Sequence, residues 1–376
     1  MKKSEIRIGR VTFPLYSLNT LVIGSGAAGL NAALCLYEEG QRNIAIVTDR
    51  LGEGTSWKAG SDKQTYYKLS LAGNRPDSAV DLAQDLAAGG CMHGDIALAE
   101  AQGSAEAFFR LVLAGVPFPH DTYGGFVGYK TDNDPRQRAT SAGPLTSRLM
   151  CEALAGQIRK RGIPVIEGHV VIKLLTHRER RRKKVIGAIA LDKKKLDSPT
   201  LGFVLFNATN IVLATGGPGG MYGHSVYPEG QTGAHALGFE AGATANNLTE
   251  SQYGLASIGF RWNLSGAYQQ VVPRYFSTGP QSEDEHEFLN DVFPDMGALA
   301  TAVFLKGYEW PFDPGKIAGF GSSLVDLLVY RETAIRGRRV FLDYTRNPSG
   351  GRKFGEFDLS VLAPEAYGYL EKSNAI

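Results

Sequence analysis

The sequence predicts an α/β fold, with a domain built on a β–α–β unit over residues 1–254 and a smaller α+β capping domain over 255–376. Three observations predict it. Residues 20–48 run apolar strand, helix, apolar strand. Glycines stand at a fixed spacing between the first strand and the helix. After Gly254 the texture turns aromatic and Gly/Pro-broken, with an acidic patch, "EDEHEF", at 283–288. At 376 residues the chain is longer than one average domain, so a single uninterrupted core is not expected.

The elements follow in order. "TLVIG" is an apolar run of strand length, the stretch from Ala28 to Glu39 has helical periodicity, and "NIAIVT" reads as a second buried strand. Helices are expected over Ser78–Ala88 and Ile96–Ala114, the second stopped by Gly115 and Pro117. Residues 118–143, rich in Gly, Asp, Asn and Pro, form a long excursion of the kind that is usually functional or mobile. A helix over Leu145–Arg161 leads to strands near 164–167, 170–175 and 185–191. The charge run "HRERRRKK" at 177–184 lacks interleaved aromatics and reads as a solvated hairpin tip rather than a nucleic-acid patch. "FVLFNATNIVLATGG" predicts two more strands ending at Gly216 and Gly217, and a helix is expected over Gly233–Ala241.

Composition narrows the function classes. The chain is 43% apolar and 21% charged with net charge +2, so no large field favours nucleic acid or an anionic membrane. Cys35, Cys91 and Cys151 form no CxxC and no zinc spacing, which fits a reducing compartment, and the expected address is the cytoplasm. No apolar run approaches the ~20 residues that span a bilayer. The seven histidines lack metal-site spacing. There is no GxSxG elbow and no Walker lysine, so hydrolase and phosphotransfer chemistry have no footing. The 46 glycines point to tight turns and close backbone approach to a ligand.

"VIGSGAAGL" carries the chemistry. Gly24, Gly26 and Gly29 form GxGxxG between strand and helix, the dinucleotide fingerprint of a Rossmann-like domain. Gly24 permits the turn, Gly26 lets backbone approach a pyrophosphate, and Gly29 allows close helix–strand packing. The N–H groups and dipole at the helix start, around Ser25, Ala27 and Ala28, then face the phosphates. The competing reading is a glycine turn without ligand. At the end of the second strand, "VTDR" offers Thr48 or Asp49 as the ribose partner, with a plain turn aspartate as the alternative.

"IVTDRLGEGTSWKAGSDK" resembles the segment after the second strand in the flavoproteins of the fumarate reductase, succinate dehydrogenase and L-aspartate oxidase superfamily. "AVDLAQDLAAGG", "DIALAEAQGSAEAFFRLVLAGVPF", "IVLATGG", "QTGAHALGFEAGA" and "TESQYG" are similar, in order, to further motifs of that family. The resemblance covers about residues 18–254 and implies an FAD-dependent oxidoreductase. It implies FAD contacts at Thr48, Asp49 and Arg50, and at Gly54, Thr55, Ser56, Ala59, Gly60 and Ser61 of the wrapping loop. It implies others at Val170, at Ala214, Thr215, Gly216 and Gly217, and at Gly233.

The departures are specific. Thr55 stands where family members that bond FAD covalently carry a histidine, which implies noncovalent FAD. The family's dicarboxylate-binding "QFHP" histidine is replaced within Gln252-Tyr253-Gly254, and Ser322 falls where the proton-donating arginine stands, although Glu332 and "RGRRVFLDY" match. Fumarate is therefore not the expected substrate. Nothing matches the family's C-terminal FAD-closing segment, so a truncated flavoprotein is expected, possible alone as an inactive fragment or as a subunit handing electrons to a partner. The catalytic candidates are Lys63 and Tyr66, which follow the small-residue turn with Lys58 and Tyr67, and His235, which with His224 brackets the expected flavin-side loop. Solvated loop and structural histidine are their bland readings.

Overall fold

A computed structural model describes the chain except residues 60–63, 74, 89–91, 131–133, 135, 180–181, 218, 222–224, 226–232, 247–253, 260–261, 308, 310–311, 351–353, 365 and 369–376. It divides into two compact units, one of Met1–Tyr129 with Arg136–Leu248, the other of Lys130–Pro135 with Thr249–Ile376.

The first unit opens with strand β1 (Lys2–Ile8) and strand β2 (Val11–Ile23), a hairpin turning at Gly9, whose φ of +62° suits glycine. Helix α1 (Ala27–Glu38) and strand β3 (Ile44–Val47) complete the expected βαβ unit. The short helix α2 (Thr55–Lys58) and strand β4 (Tyr66–Tyr67) follow. Helix α3 (Ala79–Ala87) is capped by Ser78, whose hydroxyl accepts from Asp81 N at 3.1 Å. Helix α4 (Gly94–Ala114) ends at Gly115 in the left-handed conformation, the usual glycine C-cap. Strand β5 (Ala139–Thr140) pairs with β4 and precedes helix α5 (Thr146–Lys160).

Strands β6 (Val165–Ile166), β7 (His169–Glu179), β8 (Arg182–Asp192) and β9 (Phe203–Leu213) complete a seven-stranded sheet. Its order is β6-β3-β2-β9-β8-β7, parallel across the first four strands and antiparallel across the rest, with β1 on the free part of β2. The end of β2, Leu21 to Ile23, and the whole of β3 are buried on both faces, which explains their apolar runs. Val22, Ile44 and Ile46 meet Leu30, Phe108, Leu154 and Ile158 of the helices. Leu21, Ile23, Ala45 and Val47 meet Ala188, Ala190 and Phe206 instead. Helix α6 (His235–Ala241), ended by Gly242 in the left-handed conformation, is the last described helix of this unit.

One expectation changes and another holds. The two strands expected in "FVLFNATNIVLATGG" are one, because β9 pairs with β2 from Leu15 to Ile23 and its polar "NATN" stays in the ladder. The hairpin at 177–184 forms as expected, with His177 opposite Lys184 and Arg178 opposite Lys183.

The second unit has its own core. Short strands β10 (Ala256–Ser257) and β11 (Trp262–Asn263) pair, and helix α7 (Ala267–Gln270) follows. Strand β12 (Arg274–Thr278) will pair antiparallel with β13 (Arg339–Asp343). Between them lie helix α8 (Met296–Leu305), capped by Asp295, and helix α9 (Ser322–Tyr330), which runs into a π turn at Arg331–Ile335. Phe288, Phe293, Leu299, Val303, Phe304, Val325 and Leu328 fill this core. Among the described residues no helix is long and apolar enough to cross a membrane.

Candidate functional site

The three glycines do different work. Gly24 has φ +107°, donates its N–H to Val47 O at 2.9 Å, and would place a Cβ 2.2 Å from Ala214 O. Gly29 would place a Cβ 2.0 Å from Gly24 O. Both are fixed by packing. A Cβ on Gly26 would meet only Ser56 Oγ, at 3.5 Å, so its missing side chain leaves an open cradle. Gly26 is also the N-cap of α1 and supplies no side-chain acceptor for the first N–H groups of this twelve-residue helix, of which that of Ala27 is turned to the Cys151 thiol. Ala27 and Ala28, at the helix start, keep that approach unobstructed by bulk.

Ser25 and Thr48 join the two strand ends: their hydroxyls lie 2.8 Å apart and both residues are buried. Trp57 Nε1 donates to Ser25 O at 2.9 Å and so ties the wrapping loop to the glycine turn. Asp49, one step on, is half exposed and pairs with Lys193 at 2.6 Å, while Arg50 is exposed. Gly168 N donates to Asp49 O and His169 N to Thr48 O, which brings Val170 beside this end of β3.

Gly54 caps α2, and the Thr55 hydroxyl is buried with no hydrogen-bond partner among the described residues. Such a group normally has one, so the orphan fits a bound molecule that completes it. Ser56 hydrogen-bonds the Cys151 thiol, which burial nonetheless pushes up to about 12. Ala59 N donates to Thr55 O at 2.8 Å. Ala214 N bonds Ile23 O at 2.8 Å, placing Ala214–Gly217 beside the glycine turn. Thr215 Oγ1 accepts from Ala234 N at 3.2 Å, and Gly216 and Gly233 both have positive φ. A Cβ on Gly233 would stand 2.8 Å from Gly217 O and 2.6 Å from His235 Nδ1, so His235 opens α6 next to this loop. Gly60, Ser61, Lys63 and His224 lie outside the described residues, as do Gln252 and Tyr253.

The second half of the loop, "QTYYK", is half-buried and packs against the core through Tyr66 and Lys68. Gln64 bonds Ala59 O and Ser147, fastening the loop to α5. The Tyr66 ring packs 5.8 Å from Phe108 and 5.6 Å from Phe118, and burial pushes its phenol up to about 12. It therefore keeps its proton at neutral pH. Tyr67 OH receives a bond from Arg138 at 3.3 Å, and Lys68 is buried over the Phe108 ring, its ammonium pushed down to about 8 by burial against the pull of Asp77. Arg138 forks onto Asp77 at 2.8 and 2.7 Å and reaches Asp85 at 2.6 Å. The sequence reading missed this network, because its members lie 53 to 71 positions apart. It missed Lys193 for the same reason, at 144 positions from Asp49.

In the second unit Ser322 is buried and donates to Glu309 Oε2 at 2.5 Å, with Lys316 3.6 Å from Glu309. Glu332 is buried in the π turn, held by Ser277 at 3.0 Å and Arg336 at 2.7 Å. No group of His, Cys, Asp and Glu able to hold a metal occurs among the described residues.

A βαβ turn with an open glycine cradle, an uncapped helix start and an orphaned hydroxyl in the wrapping loop defines a dinucleotide-binding protein. The cofactor is FAD. Residues 19–272 match the FAD binding domain family model, and the chain belongs to that family. It is similar to L-aspartate oxidase of Streptomyces coelicolor, 30% identical over 238 residues, covering 62% of this chain and 39% of that protein. It is also similar to L-aspartate oxidase of Pseudomonas aeruginosa, 29% identical over 253 residues, covering 63% and 44%. The chain thus spans less than half the length of these relatives. Among solved structures it shares its fold with 3-ketosteroid delta1-dehydrogenase from Sterolibacterium denitrificans, TM-score 0.57 at 13% identity, covering 90% of this chain and 71% of that one. A quinol-fumarate reductase gives TM-score 0.56 at 15% identity, covering 88% and 61%.

Proposed function

We propose that this protein is an FAD-dependent oxidoreductase that acts on a small organic substrate other than fumarate and holds its FAD without a covalent bond. The observation that carries the reading is the open cradle at Gly26, set against an uncapped helix start. The bound flavin supplies hydride transfer. The protein's own residues bind and orient it. The N–H groups at the start of α1 would face the pyrophosphate, and Thr55, whose hydroxyl cannot form a covalent link as a histidine can, would hydrogen-bond it. Ala214–Gly217 and Gly233 would line the same loop cluster.

Small amino and carboxylic acids are the substrate class to screen first, since the relatives are named L-aspartate oxidase. Ser322 in the arginine position, engaged with Glu309, argues against fumarate. An electron-transfer partner and the capping role of the second unit belong to the same proposal. The test is a visible spectrum of the purified chain followed by acid precipitation. A stoichiometric flavin band that moves to the supernatant supports the reading; a colourless folded protein defeats it. Efficient fumarate reduction with reduced viologen would defeat the substrate clause alone.

A further inference from the structure

Two adjacent residues compete for the ribose of the cofactor, and the structure separates them. The Thr48 side chain is buried, its hydroxyl 2.8 Å from Ser25 Oγ, so it is already committed to joining the strand ends. The Asp49 carboxylate is 44% exposed, with Oδ1 2.6 Å from Lys193 Nζ and Oδ2 without a hydrogen bond among the described residues. The backbone sets that meeting: Gly168 N donates to Asp49 O at 2.9 Å, and Lys193 N donates to Gly168 O at 3.0 Å. The turn after β8 is thereby laid against the end of β3, and the lysine reaches the aspartate from there. Exposed ion pairs of this kind contribute little to stability, so the fold does not depend on it.

We propose that Lys193 is a positioning residue for FAD, holding the Asp49 carboxylate as acceptor for the hydroxyls of the adenosine ribose. The proposal rests on the FAD reading above. One carboxylate oxygen is pinned by the ammonium, and the other is left to receive a ribose O–H, a charge-assisted bond. Without the lysine the exposed aspartate samples several rotamers, and binding FAD must then order it.

The test titrates apoprotein with FAD and with an FAD analogue carrying 2′,3′-dideoxyadenosine, following flavin fluorescence. The proteins are wild type, Lys193→Met, and the swapped pair Asp49→Lys with Lys193→Asp. Wild type should prefer FAD over the analogue by about tenfold or more, the value of one charge-assisted hydrogen bond. Lys193→Met should weaken FAD by about fivefold and narrow that preference, leaving the analogue's affinity unchanged. The swapped pair should keep the wild-type thermal midpoint and lose the preference, because it restores the ion pair but not the acceptor. The proposal is overturned if Lys193→Met keeps the full preference, if it weakens FAD and analogue alike, or if the swapped pair prefers FAD as wild type does. Failure of wild type to take up either flavin overturns the FAD reading and this proposal together.

Discussion

Arg138 has none of its side chain in solvent, yet it carries a full charge between Asp77, which is 3% exposed, and Asp85. Burial alone would lower its pKa; the hydrogen bonds to Asp77, Tyr67 and Asp85 outweigh that and raise it. Burial likewise opposes ionisation of Asp77, and bonds from Arg138, Ser70 and Ser78 more than offset it, holding that carboxyl below its usual range. A depressed carboxylate favours the fold above its unfolded pKa, and the benefit is lost as pH falls through the folded value. Arg138→Leu should therefore cost about 3–5 kcal/mol at neutral pH by stranding a buried charge. The cost should shrink in acid, and Lys at 138 should restore only part of it because the planar fork is gone. Urea unfolding at pH 7 and pH 3.5 checks all three. At this scale the sequence discloses local geometry and hides long-range pairing. Gly24, Gly26 and Gly29 are legible because the turn that needs them lies within six residues, whereas "TYYK" reads as loop until Phe108 and Arg138 are brought to it.

Among the elements, the helices were legible to within a residue or two where a cap or a glycine stop marks the end, as Ser78 does for α3 and Gly115 for α4. β1 was not, because all seven of its residues are exposed and no buried face leaves an alternating pattern. β9 was wrongly divided because its polar centre is stabilised by neighbours that are remote in sequence. The contact of α8 with α9 was equally invisible. Lys306, at the C-cap of α8, and Asp326, in α9, are wholly buried and meet at 2.5 Å. Burial pushes the Asp326 carboxyl up to about 7 against the pull of Lys306, and it lowers the Lys306 ammonium. Since the folded pKa of Asp326 exceeds its unfolded value, its contribution is fully present in acid and is lost as pH rises through about 7. Replacing both residues, Lys306→Met with Asp326→Leu, should leave the unit as stable or up to ~4 kcal/mol more stable, while Lys306→Met alone should cost about 3 kcal/mol. Thermal unfolding from pH 5 to pH 8 should show the double variant gaining on wild type as pH rises. A single variant that unfolds no earlier than wild type would refute the assignment.

For the molecule as a whole, the order of apolar runs and glycines was enough to anticipate a Rossmann-like domain, since β2, α1 and β3 are adjacent in sequence and in space. The seven-strand order was not anticipated, because it depends on β9 crossing back to β2 from residue 203 onward. The cradle belongs to the first unit, and so should the benefit of filling it. FAD at about 100 times its Kd should stabilise that unit by about 2.7 kcal/mol. Hydrogen exchange should show the added protection in β2, β3 and β9, and equal protection with and without FAD there would count against the site. The glycine motif also has a history written into it. In a descendant that had lost FAD, Gly24 and Gly29 would still be retained, because Ala214 O and Gly24 O occupy the space where their side chains would grow. Gly26 alone would be free to drift. Of the three, it is the one whose persistence across a lineage records use of the cofactor, and the other two record only the fold.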